Sequence, residues 1–250
     1  MASIAPGTAA FAPHHRRDRT VIAALVLIIW VAILTGFGLD MVRKAATKGL
    51  HYPLIVHLHA LTYGAWLVLL ALQVWLVRTR RVAVHRRVGM VVLLLLPLML
   101  VLGPAVAISQ NAANPLIQDR SLSFMSVQLT NVLGCVALVA AGFFARGDAS
   151  AHKRLMLMGT IAITEPGFAR IWAHQLQDFL GDGYLPYFVS TYIGTIVLVI
   201  AVGIYDLVTR RRLHPAYVAA ALWIFANEAA ATWLYYQPFW LGWMKALTGH

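Results

Sequence analysis

The chain has 250 residues, of which 60% are hydrophobic and only 12% are Asp, Glu, Lys or Arg. Soluble domains carry about a quarter of charged residues, so this composition excludes a water-soluble core and indicates a membrane protein of one domain. The formal net charge of +11 lies mostly in short segments between apolar blocks, which indicates membrane topology and excludes nucleic acid as the partner.

Seven apolar blocks follow one another along the chain, each long enough to cross about 30 Å of hydrocarbon. We therefore predict an all-α, polytopic membrane helix bundle with seven transmembrane helices, at 21–39, 54–77, 88–109, 122–144, 155–174, 187–208 and 216–236. Residues 1–20 form an N-terminal tail, 21–236 the transmembrane domain, and 237–250 a tail that lies flat in the interface. The first apolar block lacks a small-x-small cleavage site, which predicts a retained helix.

Basic residues predict the orientation of the bundle. The N-terminal tail and the loops after helices 2, 4 and 6 carry most of the 20 Lys and Arg residues, whereas the other loops carry five: Arg43, Lys44, Lys48, Arg120 and Lys245. The positive-inside rule then places the N-terminus in the cytoplasm and the C-terminus outside, in a bacterial inner membrane with the lipid bilayer as the main partner. Aromatic residues such as Tyr184, Tyr235 and Trp240 lie where the outer interface is expected.

Two basic loops carry similar motifs. His85-Arg86-Arg87-Val88-Gly89 follows helix 2, and His152-Lys153-Arg154 follows helix 4. With His57-x-His59 and Trp66 in the first hairpin, these motifs resemble uncharacterised bacterial multi-pass membrane proteins that carry a domain of unknown function. They are also distantly similar to cytochrome oxidase assembly proteins and to b-type cytochromes. The resemblance covers roughly residues 55–175, and it implies the membrane architecture without supplying a reaction.

Polar residues inside predicted membrane helices are the candidate functional residues, because lipid does not solvate them. They are His57, His59, Gln73, Gln128, Asn131, Glu165, Arg170, His174, Asn227 and Glu228. On a helix, His59 shares a face with Tyr63 and Trp66, while His57 points elsewhere. Pro166 directly follows Glu165 and predicts a kink there.

The leading hypothesis is haem b, which in a helical bundle is held by two imidazoles from different helices. His59 and His174 form a candidate pair near the outer surface, and His85 and His152 form one near the inner surface. Such haems would exchange electrons with a quinone or another membrane redox protein. The alternative to haem binding is that the inner histidines only contact lipid phosphates at the membrane interface. In that case His174 only forms a hydrogen bond to a neighbouring side chain.

Other interpretations remain open at this stage. A non-haem metal site would draw on His57, His59, His174 and Glu228, although no tight metal motif is present. A non-enzymatic assembly factor or small-solute transporter would use Gln128, Asn131, Glu165 and Arg170 as a polar cavity in the outer half. Arg170 is also a candidate to form a purely structural ion pair with Glu165 or Glu228. No nucleotide or nucleophile motif appears, so the sequence assigns no catalytic residue.

Overall fold

The computed structural model describes residues 11–47, 49 and 51–250, and this part of the chain is entirely helical, without strands. Residues 1–10 of the predicted tail and Lys48 lie outside it. The helices are α1 Asp18–Thr47, α2 Leu54–Arg78, α3 Val82–Gly89, α4 Val92–Ala112, α5 Asp119–Ser123, α6 Met125–Phe144, α7 Ala149–Ala162, α8 Glu165–Leu180, α9 Tyr184–Arg210, α10 Pro215–Tyr235 and α11 Pro238–Thr248, with a short 3-10 turn at Ala145–Gly147.

Five segments of the described chain are long and apolar enough to cross a membrane: Asp18–Thr47, Leu54–Arg78, Val82–Ala112, Asp119–Gly147 and Tyr184–Arg210. Their surfaces expose large aliphatic side chains, among them Leu27, Leu94, Val101 and Val208. A soluble bundle would bury such a continuous apolar surface, whereas lipid solvates it. The all-helical, membrane-type architecture predicted from the sequence is thus the one observed.

The predicted spans at 155–174 and 216–236 are not among these five segments. The first is divided in the structure into α7 and α8, which are 14 and 16 residues long. The second corresponds to α10, which carries Asn227 and Glu228 within an otherwise apolar sequence. The prediction of one continuous helix over 155–174 was therefore wrong, and the reason lies in the residues around Pro166.

The division between α7 and α8 follows from local chemistry. Pro166 has no N–H to bond to the carbonyl of Ala162, and it disfavours helical geometry at Glu165. The chain tightens at this point, because the N–H groups of Ile163 and Thr164 bond three residues back, to Thr160 and Ile161. The hydroxyl of Thr164 donates to the carbonyl of Thr160 at 2.7 Å. Glu165 is thereby placed at the first position of a new helix.

The bundle has two chemically distinct ends. The basic end contains residues 11–18, the connections at 79–81, 145–148 and 211–214, and the helix ends beside them; Arg78 at the end of α2 bonds to the carbonyl of Arg19 at the start of α1. The aromatic end contains the connections at 113–118 and 181–183 together with α11, where Tyr187 stacks on Tyr235. The predicted flat tail at 237–250 is the helix α11, and the indole of Trp240 donates to the carbonyl of Ser123.

Candidate functional site

Four buried polar side chains from four different helices lie near the break between α7 and α8. The amide of Asn131 on α6 donates to Oε2 of Glu165 at 2.9 Å. Glu228 on α10 interacts electrostatically with Glu165, and Tyr192 on α9 interacts with both carboxyls. We call these four residues, Asn131, Glu165, Tyr192 and Glu228, the acidic site.

The acidic site is closed to solvent. Glu165 is 1% exposed, Glu228 is 4% exposed and Tyr192 is fully buried. Asn131 lies six residues from the start of α6, Tyr192 eight residues from the start of α9 and Glu228 seven residues from the end of α10. At 1.5 Å per residue, all three lie roughly 9–12 Å inside the aromatic end, so they share one depth.

Several polar atoms of the acidic site have no hydrogen-bond partner among the residues that the structure describes. Oε1 of Glu165, Oε2 of Glu228 and the hydroxyl of Tyr192 are all buried without a hydrogen bond, and so is the hydroxyl of Thr195 one turn along α9. Buried polar groups are nearly always hydrogen-bonded, and each exception calls for an explanation. An unpaired group costs about 1–3 kcal/mol, so four of them in one region indicate a place for a bound species.

A cleft at the aromatic end lies above the acidic site. It has a volume of about 360 Å³ and is lined by residues that include Arg120, Gln128, Tyr187 and Tyr235. A neighbouring cleft shares Arg120 and Tyr235. Tyr187 lies between the cleft and the acidic site, since it lines the cleft and interacts electrostatically with Glu165. Gln128, one of the predicted cavity residues, is exposed in this cleft and not buried with Asn131.

Arg170 is directed away from the acidic site. Its guanidinium donates to the carbonyl of Pro166 at 2.8 Å, lies 4.2 Å from the ring centre of Phe37, and faces Asp40 of α1 at 3.7 Å. Its effect on Glu165 is electrostatic only. The predicted partners of Arg170 were Glu165 and Glu228, and the structure gives it Asp40 as its ion pair.

Of the predicted haem pairs, the structure brings the inner one together. The rings of His85 and His152 are 6.2 Å apart between centroids, and Nδ1 of His152 lies 2.7 Å from the carbonyl oxygen of Gly142. The amide of Gln73, oriented with its nitrogen toward His85, donates to Nδ1 and to the carbonyl of that histidine. Nδ1 of His85 is thus an acceptor, which leaves the proton of the neutral ring on Nε2.

The outer histidines are separate in their surroundings. His59 is half-buried and stacks on Tyr63 at 4.2 Å, on a helix that packs mainly against α1 and α4. His174 is exposed on α8, which packs mainly against α1 and α9. His57 is exposed and lies edge-on to Tyr52. Among the residues that the structure describes, no three His, Cys, Asp or Glu side chains are grouped to hold a metal ion.

A second polar cluster, which the sequence analysis did not identify, lies at the basic end. Arg154 of α7 forms a bidentate ion pair with Asp206 of α9, and both are buried. Asp18 of α1 accepts from Lys153 at 2.7 Å, from Arg210 at 2.8 Å and from the hydroxyl of Tyr205 at 2.7 Å. We call Asp18, Lys153, Arg154, Asp206 and Arg210 the basic-end network.

The N-terminal segment closes over the basic-end network. The ring of Phe11 lies 4.7 Å from the guanidinium carbon of Arg154 and 5.3 Å from that of Arg210. Arg210 also donates to the carbonyl of Ala12, and Lys153 to that of Pro13. Residues 11–18 of the predicted N-terminal tail are therefore packed against the helix bundle.

The sequence signals for these residues differ in strength. Asp206 and Arg210 are four residues apart on one helix face, so their charge pattern marks a candidate pair. Tyr192 and Thr195 give no comparable signal, because tyrosine and threonine are ordinary within an apolar helix.

The chain matches no protein-family model, and comparison with curated proteins and with solved structures gives no significant match.

Proposed function

We propose that this chain is a multi-pass membrane protein of the transporter class that binds a small solute in the acidic site. The observation that carries the proposal is the set of buried, unpartnered oxygens on Glu165, Glu228 and Tyr192 beside a helix break. Interrupted membrane helices are a recurring way to build solute sites near the bilayer centre. The cleft above the site supports entry from the aromatic end.

The proposal includes seven membrane crossings in a bacterial inner membrane. The five apolar segments supply five crossings, α7 and α8 together supply another, and α10 supplies the last. The basic end then faces the cytoplasm and the aromatic end faces outward. Single cysteines at Gly147 and Gly181, in connections at opposite ends, test this orientation; a charged thiol reagent added to intact cells should label only the Gly181→Cys variant.

Thiol accessibility also tests the solute site. The native Cys135 is fully buried, so a Cys135→Ser background is suitable. In that background, Gln128→Cys reports on the cleft and Asn131→Cys on the acidic site, while Leu133→Cys, which is 53% exposed on the apolar surface, is the lipid-facing control. We expect a charged, membrane-impermeant methanethiosulfonate to modify the first two variants and to spare the control.

The side of access separates a transporter from an assembly factor. A transporter exposes Asn131→Cys to reagent from both faces, in right-side-out and in inverted vesicles. A non-enzymatic assembly factor with a fixed cavity exposes it from one face only. If Asn131→Cys reacts from neither face while Gln128→Cys reacts, the acidic site has no solute path and the proposal fails.

Haem b is a second candidate, favoured by the closeness of His85 and His152. The contact of His152 Nδ1 with Gly142 leaves its Nε2 free for iron, as is common for ligating histidines. His85 fits less well, because its Nδ1 accepts from Gln73 and the proton stays on Nε2. Arg154, the basic residue two positions after His152, is bound to Asp206 and so is not available to a haem propionate. Haem here would supply one-electron exchange with a quinone or a membrane redox partner.

A visible spectrum of the purified protein tests the haem candidate. A Soret band with a reduced α-band of the b-type that is lost in His152→Ala supports it. The matched control is His174→Ala, which leaves the inner pair intact and alters the spectrum only if the outer pair holds haem. A colourless preparation without bound iron removes both haem assignments and leaves the acidic-site proposal untouched.

A further inference from the structure

Among the residues that the structure describes, no cationic side chain forms a hydrogen bond with either carboxyl of the acidic site. Glu165 receives one hydrogen bond, from the neutral amide of Asn131, and Glu228 has an unpartnered oxygen. The nearest cation that acts on Glu165, Arg170, is directed to Asp40 and to the carbonyl of Pro166. Two ionised carboxyls in the membrane interior without a cation in direct contact are costly, which favours positive charge supplied to this site by protons or by a ligand.

The unpartnered oxygens identify the kind of ligand. Besides the two carboxyls, the hydroxyl of Tyr192 is fully buried, lacks a partner and interacts with both of them. At the helix break, Pro166 has no N–H with which to bond the carbonyl of Ala162. The carboxyl-terminal end of α7 also carries partial negative charge. A set composed only of oxygen atoms suits a hard cation and not a soft transition metal.

The number of carboxyls sets the charge of that ligand. One proton held between Glu165 and Glu228 leaves a single negative charge, which one monovalent ion neutralises. A calcium ion takes six to eight oxygen ligands, whereas Glu165, Glu228 and Tyr192 contribute one unpartnered oxygen each.

We propose that the acidic site binds one monovalent metal cation, in competition with protons on Glu165 and Glu228. The proposal rests on the transporter-class function above, which it makes specific.

Carbodiimide labelling tests this competition on the full-length protein in mild detergent. Dicyclohexylcarbodiimide reacts with protonated carboxyls in apolar surroundings, and mass spectrometry locates the adduct. We expect labelling at Glu165 or Glu228 that decreases as the pH is raised from about 6 to about 9, because a protonated carboxyl is the reactive form. LiCl, NaCl and KCl are then compared with choline chloride at equal ionic strength.

We expect at least one of the three alkali cations to slow labelling about tenfold when it is present at about ten times its dissociation constant. Equal labelling in all three salts and in choline, up to the solubility limit of each salt, overturns the proposal. Protection by MgCl₂ or CaCl₂ alone also overturns it, in favour of a divalent site.

Matched variants keep the result interpretable. In Glu165→Leu and in Glu228→Leu, which remove the side-chain oxygens of one carboxyl, the remaining carboxyl should lose protection by the alkali cation while the protein still elutes as one species in size exclusion. Asp40→Asn removes a carboxyl outside the site and should keep both labelling and protection. If either single Leu variant retains full cation protection, the two carboxyls do not form one site and the proposal is wrong.

The outcome is separable from that of the proposed function. If Asn131→Cys is accessible to the thiol reagent but no cation protects the carboxyls, the solute site is supported and the cation proposal is contradicted. If a cation protects the carboxyls but Asn131→Cys is not accessible, an enclosed ion site is supported and the transport path is contradicted.

Discussion

The two polar clusters of this molecule both contain buried charged side chains but differ in how those charges are paired. At the basic end, Asp18 and Asp206 each meet cationic side chains directly, and Arg154 also donates to Ser150. In the acidic site, Glu165 and Glu228 meet an amide, a phenol and each other. Burial alone therefore does not mark a functional carboxyl. The informative difference is whether the protein itself supplies the partner.

Asp206→Asn should have the largest effect on stability. The change leaves the buried guanidinium of Arg154 without its counter-charge, and breaking a buried ion pair in this way costs about 3–5 kcal/mol. We expect a clearly lower melting temperature of the protein in detergent. Asp119→Asn is the control, because its pair with Lys245 is exposed and such pairs contribute about 0–1 kcal/mol. Equal melting temperatures for the two variants would contradict a structural role of the basic-end network.

Gly36→Ala should have the next largest effect, because it disturbs the helix that begins at Glu165. A Cβ at Gly36 would overlap the carbonyl oxygen of Gly167, where α1 crosses the start of α8. Overpacking of this kind costs about 1–3 kcal/mol, which thermal unfolding measures. Gly38→Ala is the matched control, since a Cβ there meets nothing within 4 Å. Unequal effects of the two changes locate the constraint at the α1–α8 contact.

Protonation of His214 should destabilise the basic end. Its Nδ1 accepts from the N–H of Ala216, its ring contacts Phe11, and burial followed by Arg154 lowers its pKa, against the attraction of Asp148 and Asp206. Between that lowered pKa and the ordinary value of 6.5, the unfolded chain binds more protons. The stabilising contribution of neutral His214 is therefore complete above pH 6.5. It is lost as the pH falls through the pKa of His214 in the folded protein.

His214→Asn isolates this effect, because asparagine also caps a helix but does not titrate. Melting temperatures between about pH 5 and pH 7.5 should depend less on pH in the variant than in the parent protein. Identical pH profiles for the variant and the parent protein would show that His214 carries the same charge in the folded and unfolded states over this pH range.

Glu165→Gln should have the smallest effect on stability and so gives the sharpest contrast with Asp206→Asn. Glutamine retains an oxygen for Asn131 and removes an ionisable group that lacks a cationic partner. We expect a change within about 1 kcal/mol, or a gain, in metal-free buffer. A loss as large as that of Asp206→Asn would mean that Glu165 is a structural residue.

Much of the fold was predictable because lipid imposes a simple rule on composition. A long apolar run indicates a membrane helix whatever its neighbours are, so the all-helical membrane architecture follows from hydropathy. Pro166 indicated a kink but not its extent. The division into two helices also depends on the backbone bonds of Ile163 and Thr164, which a pattern of apolar residues does not reveal.

The candidate site was predictable in part. Asn131, Glu165 and Glu228 were identifiable because polar side chains are rare in membrane helices. Their meeting with Tyr192 depends on how α9 is rotated against α8 and α10, and one sequence does not determine that rotation. Arg154 was missed as a buried ion pair because it belongs to a run of basic residues, which the positive-inside rule explains without a partner.

The break at residues 163–164 also divides the molecule mechanically. The segment before it, α7, packs mainly against α6 and α10, whereas the segment after it, α8, packs mainly against α1 and α9. Glu165 therefore stands on the seam between two groups of helices, with Asn131 and Glu228 on one side and Tyr192 on the other. An ion held by oxygens from both sides would tie the groups together, and its departure would release a hinge whose axis passes through Thr164.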